Sequence, residues 1–554
     1  MSEDRITITR KYVLKPTFAE TKEWTNRVME FTKNSYEEKI DYYKKKVKSE
    51  KDKKRKEQYK NRLSQIEEQR KDFTENGTLI QSNINDYTYD LVRRSMESET
   101  RRKNHIITYV IGELYRRDAE SMSLKERNDL INELTNYSYR QKGSKKGSLF
   151  DDIEVDNPLR GYGNAFKQNL TSEIKDLVNK KKLLEGKLSS SKSYKFGSPF
   201  TIEKAVMSFS HDYDSYEELC EHIQKNNCSL YFNFGSDGKP TIARFKLDLG
   251  SNRHKNNKQE LIATILKVYS GEYAFCGSGI GVEKNKIILY LSLSIPKKSV
   301  ELDENVVVGV DLGIAVPAMC AVNNNPKSML RVGSKDEFLR VRTKIKAQRE
   351  RLQKGLKSAA GGHGRKKKLS KLDTLKKYER HFVETKYHKY SKQIVDYALK
   401  NRAKYINIEN LSDYKGDKFI LRNWSYYTLQ QFITYKALKY GIIVRKINPC
   451  YTSQVCSVCG NWHPENRKEQ AVFNCHNEEC DTHDKSKYKY GMNADFNAAR
   501  NIANSTLWME KGKVTEKKKE EARIYYGIEE EYQKYKAEDE NKKKSDKKSS
   551  EGVA

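Results

Sequence analysis

Two short cysteine pairs constrain this chain more than any other feature. Cys456 and Cys459 stand in CSVC, and Cys475 and Cys480 in CHNEEC. Each pair presents two sulfurs from one tight turn, so folding the short loop between them closes a tetrahedral site for Zn²⁺. Four residues separate the thiols of the second pair where two are usual, and His476 or His483 is an alternative ligand there. Four reduced, buried cysteines are the competing reading. Cys220, Cys228, Cys276, Cys320 and Cys450 are isolated and read as structural. An odd total of nine over 554 residues suits metal binding in a reducing compartment better than a disulfide framework.

Charge narrows the partner. Lys and Arg number 107 against 76 Asp and Glu, a formal net charge of +31. Such a surface attracts a polyanion, because every neutralised phosphate releases condensed counterions. Nucleic acid is the leading expectation, and a ribosome-associated or merely soluble basic protein the bland alternative. Only 36% of residues are hydrophobic, and the length exceeds what one ordinary core holds, so several domains are expected. No run approaches the roughly 20 apolar residues of a membrane span. The start, MSEDRITITRKYV, lacks the apolar centre of a signal peptide, so the expectation is intracellular with no membrane partner.

Along the chain, Ile6 and Ile8 alternate with polar residues in a short strand whose partner must lie far downstream. From about residue 21 to 192, Tyr and Ile recur three or four apart between Lys and Arg, which predicts long basic helices. KGSKKGSLFDDIEVDNPLRGYGN and EGKLSSSKSYKFGSP interrupt them, and a boundary is placed near Phe196. β-type runs follow, with SDGK as a hairpin turn. After Asn305 the pattern turns α/β: VVVGVDLG and AVPAMCAVNN as strands, basic helices over 335–400, AKYINIENL as a strand, SYYTLQQFITYKALKYG as a helix and IIVRKIN as a strand. Residues beyond Trp508 are charged throughout and read as a flexible tail, partly helical before it frays into disorder.

Three acids occupy strategic places in this α/β region. Asp311 ends the Val-rich strand, Glu409 ends YINIE, and Asp495 lies in the first turn of NADFNAARNIAN. Singly, each has an ordinary explanation: a turn, an exposed acid, or a helix-dipole partner. Together they are more telling, since parallel strands deliver their C-terminal ends to one sheet edge. Carboxylates crowded there call for Mg²⁺, which prefers oxygen ligands and accepts phosphate oxygens. Two such ions suit phosphodiester hydrolysis. Ala498 and Ala499 would let the helix approach the sheet closely.

The order GVDLG, INIENL, TSQVCSVCG, a second cysteine pair and NADFNAARNI resembles the split RuvC-like nuclease with an inserted zinc ribbon found in transposon-encoded TnpB proteins and type V CRISPR effectors. Length and the run KIILYLSLSIPKK before VVVGVDLG look most like the compact type V-F effectors. The likeness covers roughly residues 196–505, with GGHGRKKKLSK at 361–371 similar to the segment after the first nuclease motif.

The resemblance implies a multidomain α+β protein: a helical recognition domain, a β-barrel-like wedge domain and an RNase H-like (RuvC) α/β nuclease domain. The expected division is a first wedge strand at 1–20, recognition helices at 21–195, wedge at 196–304, nuclease motifs I and II at 305–450, zinc ribbon at 451–492, motif III at 493–508 and tail at 509–554. It implies an antiviral RNA-guided DNA endonuclease of the prokaryotic cytoplasm, with Asp311, Glu409 and Asp495 holding two Mg²⁺ and one Zn²⁺ on Cys456, Cys459, Cys475 and Cys480. A guide RNA, either crRNA with tracrRNA or a single guide, would select double-stranded DNA beside a short PAM. Arg467 matches a family arginine near the active site. An asymmetric homodimer on one guide is a further implication, whereas the extra N-terminal zinc finger of some members is not expected, as no cysteine precedes Cys220. The alternatives are a TnpB-like transposon nuclease, a guide-directed binder that does not cut, and a DNA-binding or recombinase-type protein that reads bases itself.

Overall fold

A computed structural model describes the chain apart from residues 1–3, 18–21, 78, 139–163, 181–182, 186–193, 195–196, 209–214, 226–227, 234–241, 251–254, 284, 314–315, 359–361, 412–425, 470, 484–491, 510–513 and 552–554. The SDGK turn, the first interruption apart from Asn164 and the boundary at Phe196 therefore lie outside the described residues. The chain forms two compact units, Met1–Pro296 and Lys297–Ala554. No helix of the described residues is long and apolar enough to cross a membrane.

In the first unit, strand β1 (Arg5–Pro16) lies between two strands that follow it by more than 200 residues. Its register runs Arg5 opposite Pro296 and Val13 opposite Asp248, antiparallel on both sides. The remaining strands are β2 (Phe200–Ile202), β3 (Met207–Ser208), β4 (Ser229–Asn233), β5 (Ile242–Asp248), β6 (Ala274–Phe275), β7 (Ser278–Glu283) and β8 (Lys286–Pro296). They make a curled antiparallel sheet in the order β2-β7-β8-β1-β5-β4-β3, with β6 also on β8. Among the described residues no ladder joins β2 to β3.

The helices do not form one separate lobe. Trp24 and Val28 of the Lys22–Ser49 helix, and Ile84, Leu91 and Met96 of the Gln81–Arg116 helix, share a core with Tyr12, Phe245 and Leu289 of the sheet. Farther along, Ile106, Val110 and Leu114 of Gln81–Arg116 join Leu130, Leu134, Phe166 and Ile174 in a second core. That 36-residue helix, about 54 Å at 1.5 Å per residue, thus serves two cores. The Lys53–Asn76 helix packs on Lys22–Ser49 through Tyr36, Ile40 and Ile66, and its exposed residues are charged and polar, with Lys53, Lys54, Arg55, Lys60 and Arg62 among them.

The second unit is built on the order β11-β10-β9-β12-β13, where β9 is Asp303–Asp311, β10 Ala318–Val322, β11 Asn325–Val332, β12 Ala403–Glu409 and β13 Ile443–Ile447. β9, β12 and β13 are parallel, so Asp311 and Glu409 arrive at one edge. β10 and β11 turn back as antiparallel neighbours, the latter a strand that the sequence pattern did not reveal. One face carries the Gly362–Lys400 helix, through Tyr387, Tyr390 and Ile394, and the Tyr426–Leu438 helix, through Leu429 and Ile433.

The Ala494–Asn504 helix takes the opposite face, where Ala499 meets Val316, Met319 and Ala321. Its closest approach is over Gly309: a Cβ built there would stand 2.1 Å from the Ala499 carbonyl oxygen and 2.3 Å from the Ala503 nitrogen. The helix is thus seated by a glycine on the strand as well as by its own alanines. Gly309→Ala is expected to destabilise the protein by about 1–3 kcal/mol or more, the scale of forcing atoms into a filled interior. Urea denaturation checks this, and an unchanged midpoint would mean that the helix retreats freely.

The segment beyond Trp508, expected as a partly helical tail, is docked over part of its length. It is helical over Glu516–Tyr525 and Glu529–Glu551. Ile528 is buried with Val455 and Trp462, and Tyr532 lies against both Tyr451 and Trp462. Asn448 Nδ2 donates to the Lys518 carbonyl at 2.8 Å. Composition concealed the docking because a few apolar residues, placed where these helices meet Tyr451, Val455 and Trp462, suffice to seat an otherwise charged segment.

Candidate active site and metal centre

The two parallel strand ends and the first turn of the Ala494–Asn504 helix meet in a cleft of about 520 Å³, lined by Asp311, Glu409, Asp495, Arg331, Thr452 and Arg467. Asn493 caps the helix, its Oδ1 accepting from the Phe496 amide at 2.9 Å, which fixes the turn that carries Asp495. Asn407, two residues before Glu409, holds the other end of that helix by donating to the carbonyls of Ile502 and Ser505 at 3.0 and 3.1 Å. The first turn is thus fixed by its own cap and the far end of the helix by the strand that carries Glu409.

The electrostatics show a site short of positive charge. Burial, and then the negative charges of Glu409 and Asp495, hold the Asp311 carboxyl well above the usual carboxylate range, against the pull of Arg467. Glu409 is 7% exposed, and burial pushes it to about 7 although Thr452 and Arg467 oppose the shift. Asp495 is raised by burial against Arg467 and Arg331. Arg467 Nη2 lies 3.7 Å from Asp495 Oδ1. Three acids raised together, with two arginines in attendance, are a donor set that fits hard divalent cations.

Sequence reasoning missed three contributors. Arg331 comes from β11, the unrecognised strand. Thr452 follows β13 and donates to Glu409 Oε1 at 2.5 Å, while Gln430 Nε2 donates to the Glu409 carbonyl at 2.8 Å. Thr452 stood within the quoted TSQVC, but nothing local distinguishes a buried hydroxyl that meets an acid 43 positions away.

Cys456, Cys459, Cys475 and Cys480 converge as one group, with all four sulfurs within 4.8 Å of one another. Cys456 Sγ lies 3.7 Å from Cys480 Sγ, and Cys459 Sγ lies 3.5 Å from Cys475 Sγ. Tetrahedral Zn–S bonds near 2.3 Å put sulfurs about 3.8 Å apart, so the set fits that ion. Burial raises the Cys459 and Cys475 thiols, and the neighbouring Cys456 adds to both shifts. Cys480 is lowered despite burial, by hydrogen bonds from Thr482.

Neither histidine replaces a cysteine in this group. His476 stacks on His463, ring centroids 3.8 Å apart, in a separate cluster with Glu465. His483 Nδ1 contacts the Cys475 carbonyl at 2.7 Å. Two short strands, β14 (Val472–Phe473) and β15 (Met492–Asn493), pair to join the cysteine-bearing segment to the Asp495 helix.

Comparison with known proteins bears on the chain as a whole. Residues 426–502 match the family described as Cas12f1-like, TNB domain. The chain is 40% identical over 242 residues to the CRISPR-associated endodeoxyribonuclease Cas12f1 of Sulfoacidibacillus thermotolerans, covering 43% of this chain and 55% of that one. It is 35% identical over 132 residues to a TnpB-like protein of Methanocaldococcus jannaschii, covering 22% and 44%. Its alignments thus span about half the length of these curated relatives. A protein solved by cryo-EM as a Cas12f1-sgRNA-target DNA complex shares the fold, with a TM-score of 0.57, 19% identity and coverage of 91% of this chain and 99% of that one. In family match, relatives and fold, this multidomain α+β chain is similar to the compact type V-F CRISPR nucleases, with TnpB-like proteins as further relatives.

Proposed function

We propose that the protein is a CRISPR RNA-guided, PAM-dependent endonuclease that cuts double-stranded DNA at one RuvC-like site. The observation that carries this reading is the meeting of Asp311, Glu409 and Asp495 in one cleft within a chain similar to Cas12f1. Asp311, Glu409 and Asp495 would hold two Mg²⁺, which when bound supply the charge that lowers the pKa of an attacking water and steadies the leaving oxygen. The chain's own residues orient the substrate. Arg467 and Arg331 offer guanidinium donors to a phosphate entering beside Asp495. The Cys456, Cys459, Cys475 and Cys480 group would hold structural Zn²⁺ and make the ribbon a firm mount for Arg467.

Recognition falls to the basic surfaces. The Lys22–Ser49 and Lys53–Asn76 pair, and the Lys335–Lys357 and Gly362–Lys400 helices, expose rows of Lys and Arg suited to A-form backbone and displaced single strand. In this reading residues 21–195 recognise guide and heteroduplex, 196–304 form the wedge with β1, and 451–492 form the ribbon beside the split nuclease. An asymmetric homodimer on one guide in the prokaryotic cytoplasm belongs to the same reading. The TnpB-like relatives favour a second one, a transposon-associated RNA-guided nuclease.

Sequencing RNA that copurifies with the protein, then supplying a duplex complementary to it, tests the proposal. A repeat-derived guide and Mg²⁺-dependent cutting beside a fixed short motif are expected. A transposon-end RNA would favour the second reading, and DNA binding without any RNA would overturn both.

A further inference from the structure

We infer that Thr452 is a positioning residue for Glu409, holding one carboxylate oxygen so that the other is left for a cation; this rests on the metal-dependent reading above. Gln430 fixes the Glu409 backbone, and Thr452 reaches its carboxylate, donating at 2.5 Å to Oε1. The hydroxyl also lies 3.0 Å from the Pro449 carbonyl, and its single proton serves one acceptor at a time. An ionised Glu409 is the stronger acceptor of the two.

Thr452 is itself held from the catalytic helix. Asn501 Nδ2 donates at 2.8 Å to the carbonyls of both Thr452 and Val455. One turn earlier, Asn497 Nδ2 donates to the Val455 carbonyl at 2.8 Å, and Asn497 Oδ1 accepts from the Ser457 amide at 2.8 Å. Two buried asparagines spaced four apart thus clip the start of the ribbon to the helix that bears Asp495. The clip sets Thr452 in register with Glu409, so the orientation of Glu409 is decided by the helix that carries Asp495. Removing a group that orients a metal-binding carboxylate in this way typically costs about 10 to 100-fold in metal affinity or activity.

The test compares Thr452→Val, which keeps the shape and loses the hydroxyl, with Thr452→Ser, which keeps the hydroxyl. Mn²⁺ binding to the purified, ribbon-loaded protein is read by electron paramagnetic resonance, alongside the Mg²⁺ dependence of guided cutting. Thr452→Val is expected to weaken Mn²⁺ binding and raise the half-saturating Mg²⁺ by about 10 to 100-fold, with guided DNA binding and melting temperature near wild type. Thr452→Ser should restore most of the loss, a rescue that a purely space-filling role would not give. Equal behaviour of Val and wild type, or equal impairment of Val and Ser, would overturn the inference and leave the nuclease reading intact. Failure of the wild type to bind Mn²⁺ at the cleft would overturn both.

Discussion

Asp311→Asn is expected to leave guide-dependent DNA binding intact and to lower cutting by roughly 10⁴-fold or more, the scale seen when one member of a catalytic unit is removed. Asp311 ends the central strand and feels both other acids, so no neighbour can take its place. A gel-shift assay with the guide complex, beside single-turnover cleavage, measures the two effects separately. Full cutting by the variant would remove the assignment of the site.

The same substitution should stabilise the protein when divalent cations are withheld. A carboxyl with a raised folded pKa binds its proton more tightly folded than unfolded. Its contribution is present below the unfolded value, about 3.9 for Asp, and is lost as pH rises through the folded value. Wild type without divalent cations should therefore lose stability above about pH 4, with Glu409 contributing up to its value of about 7. Asparagine cannot ionise, so the melting temperature of Asp311→Asn should exceed that of wild type at pH 8 by more than at pH 5. Added Mg²⁺ should raise wild type more than the variant, because a cation stabilises whichever folded form binds it. A variant less stable than wild type at pH 8 without Mg²⁺ would show that the three acids do not strain one another.

Cys456→Ser is expected to empty the ribbon of zinc and unfold it, with cutting lost through Arg467 and Thr452 and not through the acids themselves. Cys456 is buried, touches both Cys480 and Thr482, and is flanked by Val455 and Ser457, which the Asp495 helix grips. Structural zinc supplies apparent binding energies of about 10–16 kcal/mol in small zinc-finger peptides, far more than the few local apolar contacts of a ribbon can replace. Zinc stoichiometry by atomic emission should fall from one per chain toward zero. Hydrogen exchange over 451–480 should become fast, while β9 and β12 stay protected. Retention of one zinc by the variant would disprove the four-sulfur site.

Much of the site was legible because its chemistry is carried by residue identity. Val-rich runs ending in Asp311 and Glu409 announce buried strands with acids at their ends, and alternation at Ile6 announces a strand that lacks a nearby partner. The cysteine pairs were equally plain, although their spacing left His476 and His483 open. That choice needed the sulfur distances. Arg467 came from resemblance alone, and its place beside Asp495 is a matter of how the ribbon folds back.

What stayed hidden had one physical origin. Gly309 reads as a mere interruption in VVVGVDLG until a helix nearly two hundred residues later presses on it. The stretch after Trp508 reads as solvated charge, yet Ile528 and Tyr532 find Val455, Tyr451 and Trp462. Asn497 and Asn501 read as ordinary helix polarity, yet they clip the ribbon. By itself the sequence determined the donor atoms, most strands and helices apart from β11, and the excess of positive charge, since each follows from local composition and period. Only the tertiary structure decided which distant groups share a cleft, because that depends on packing between segments whose local patterns carry no trace of one another.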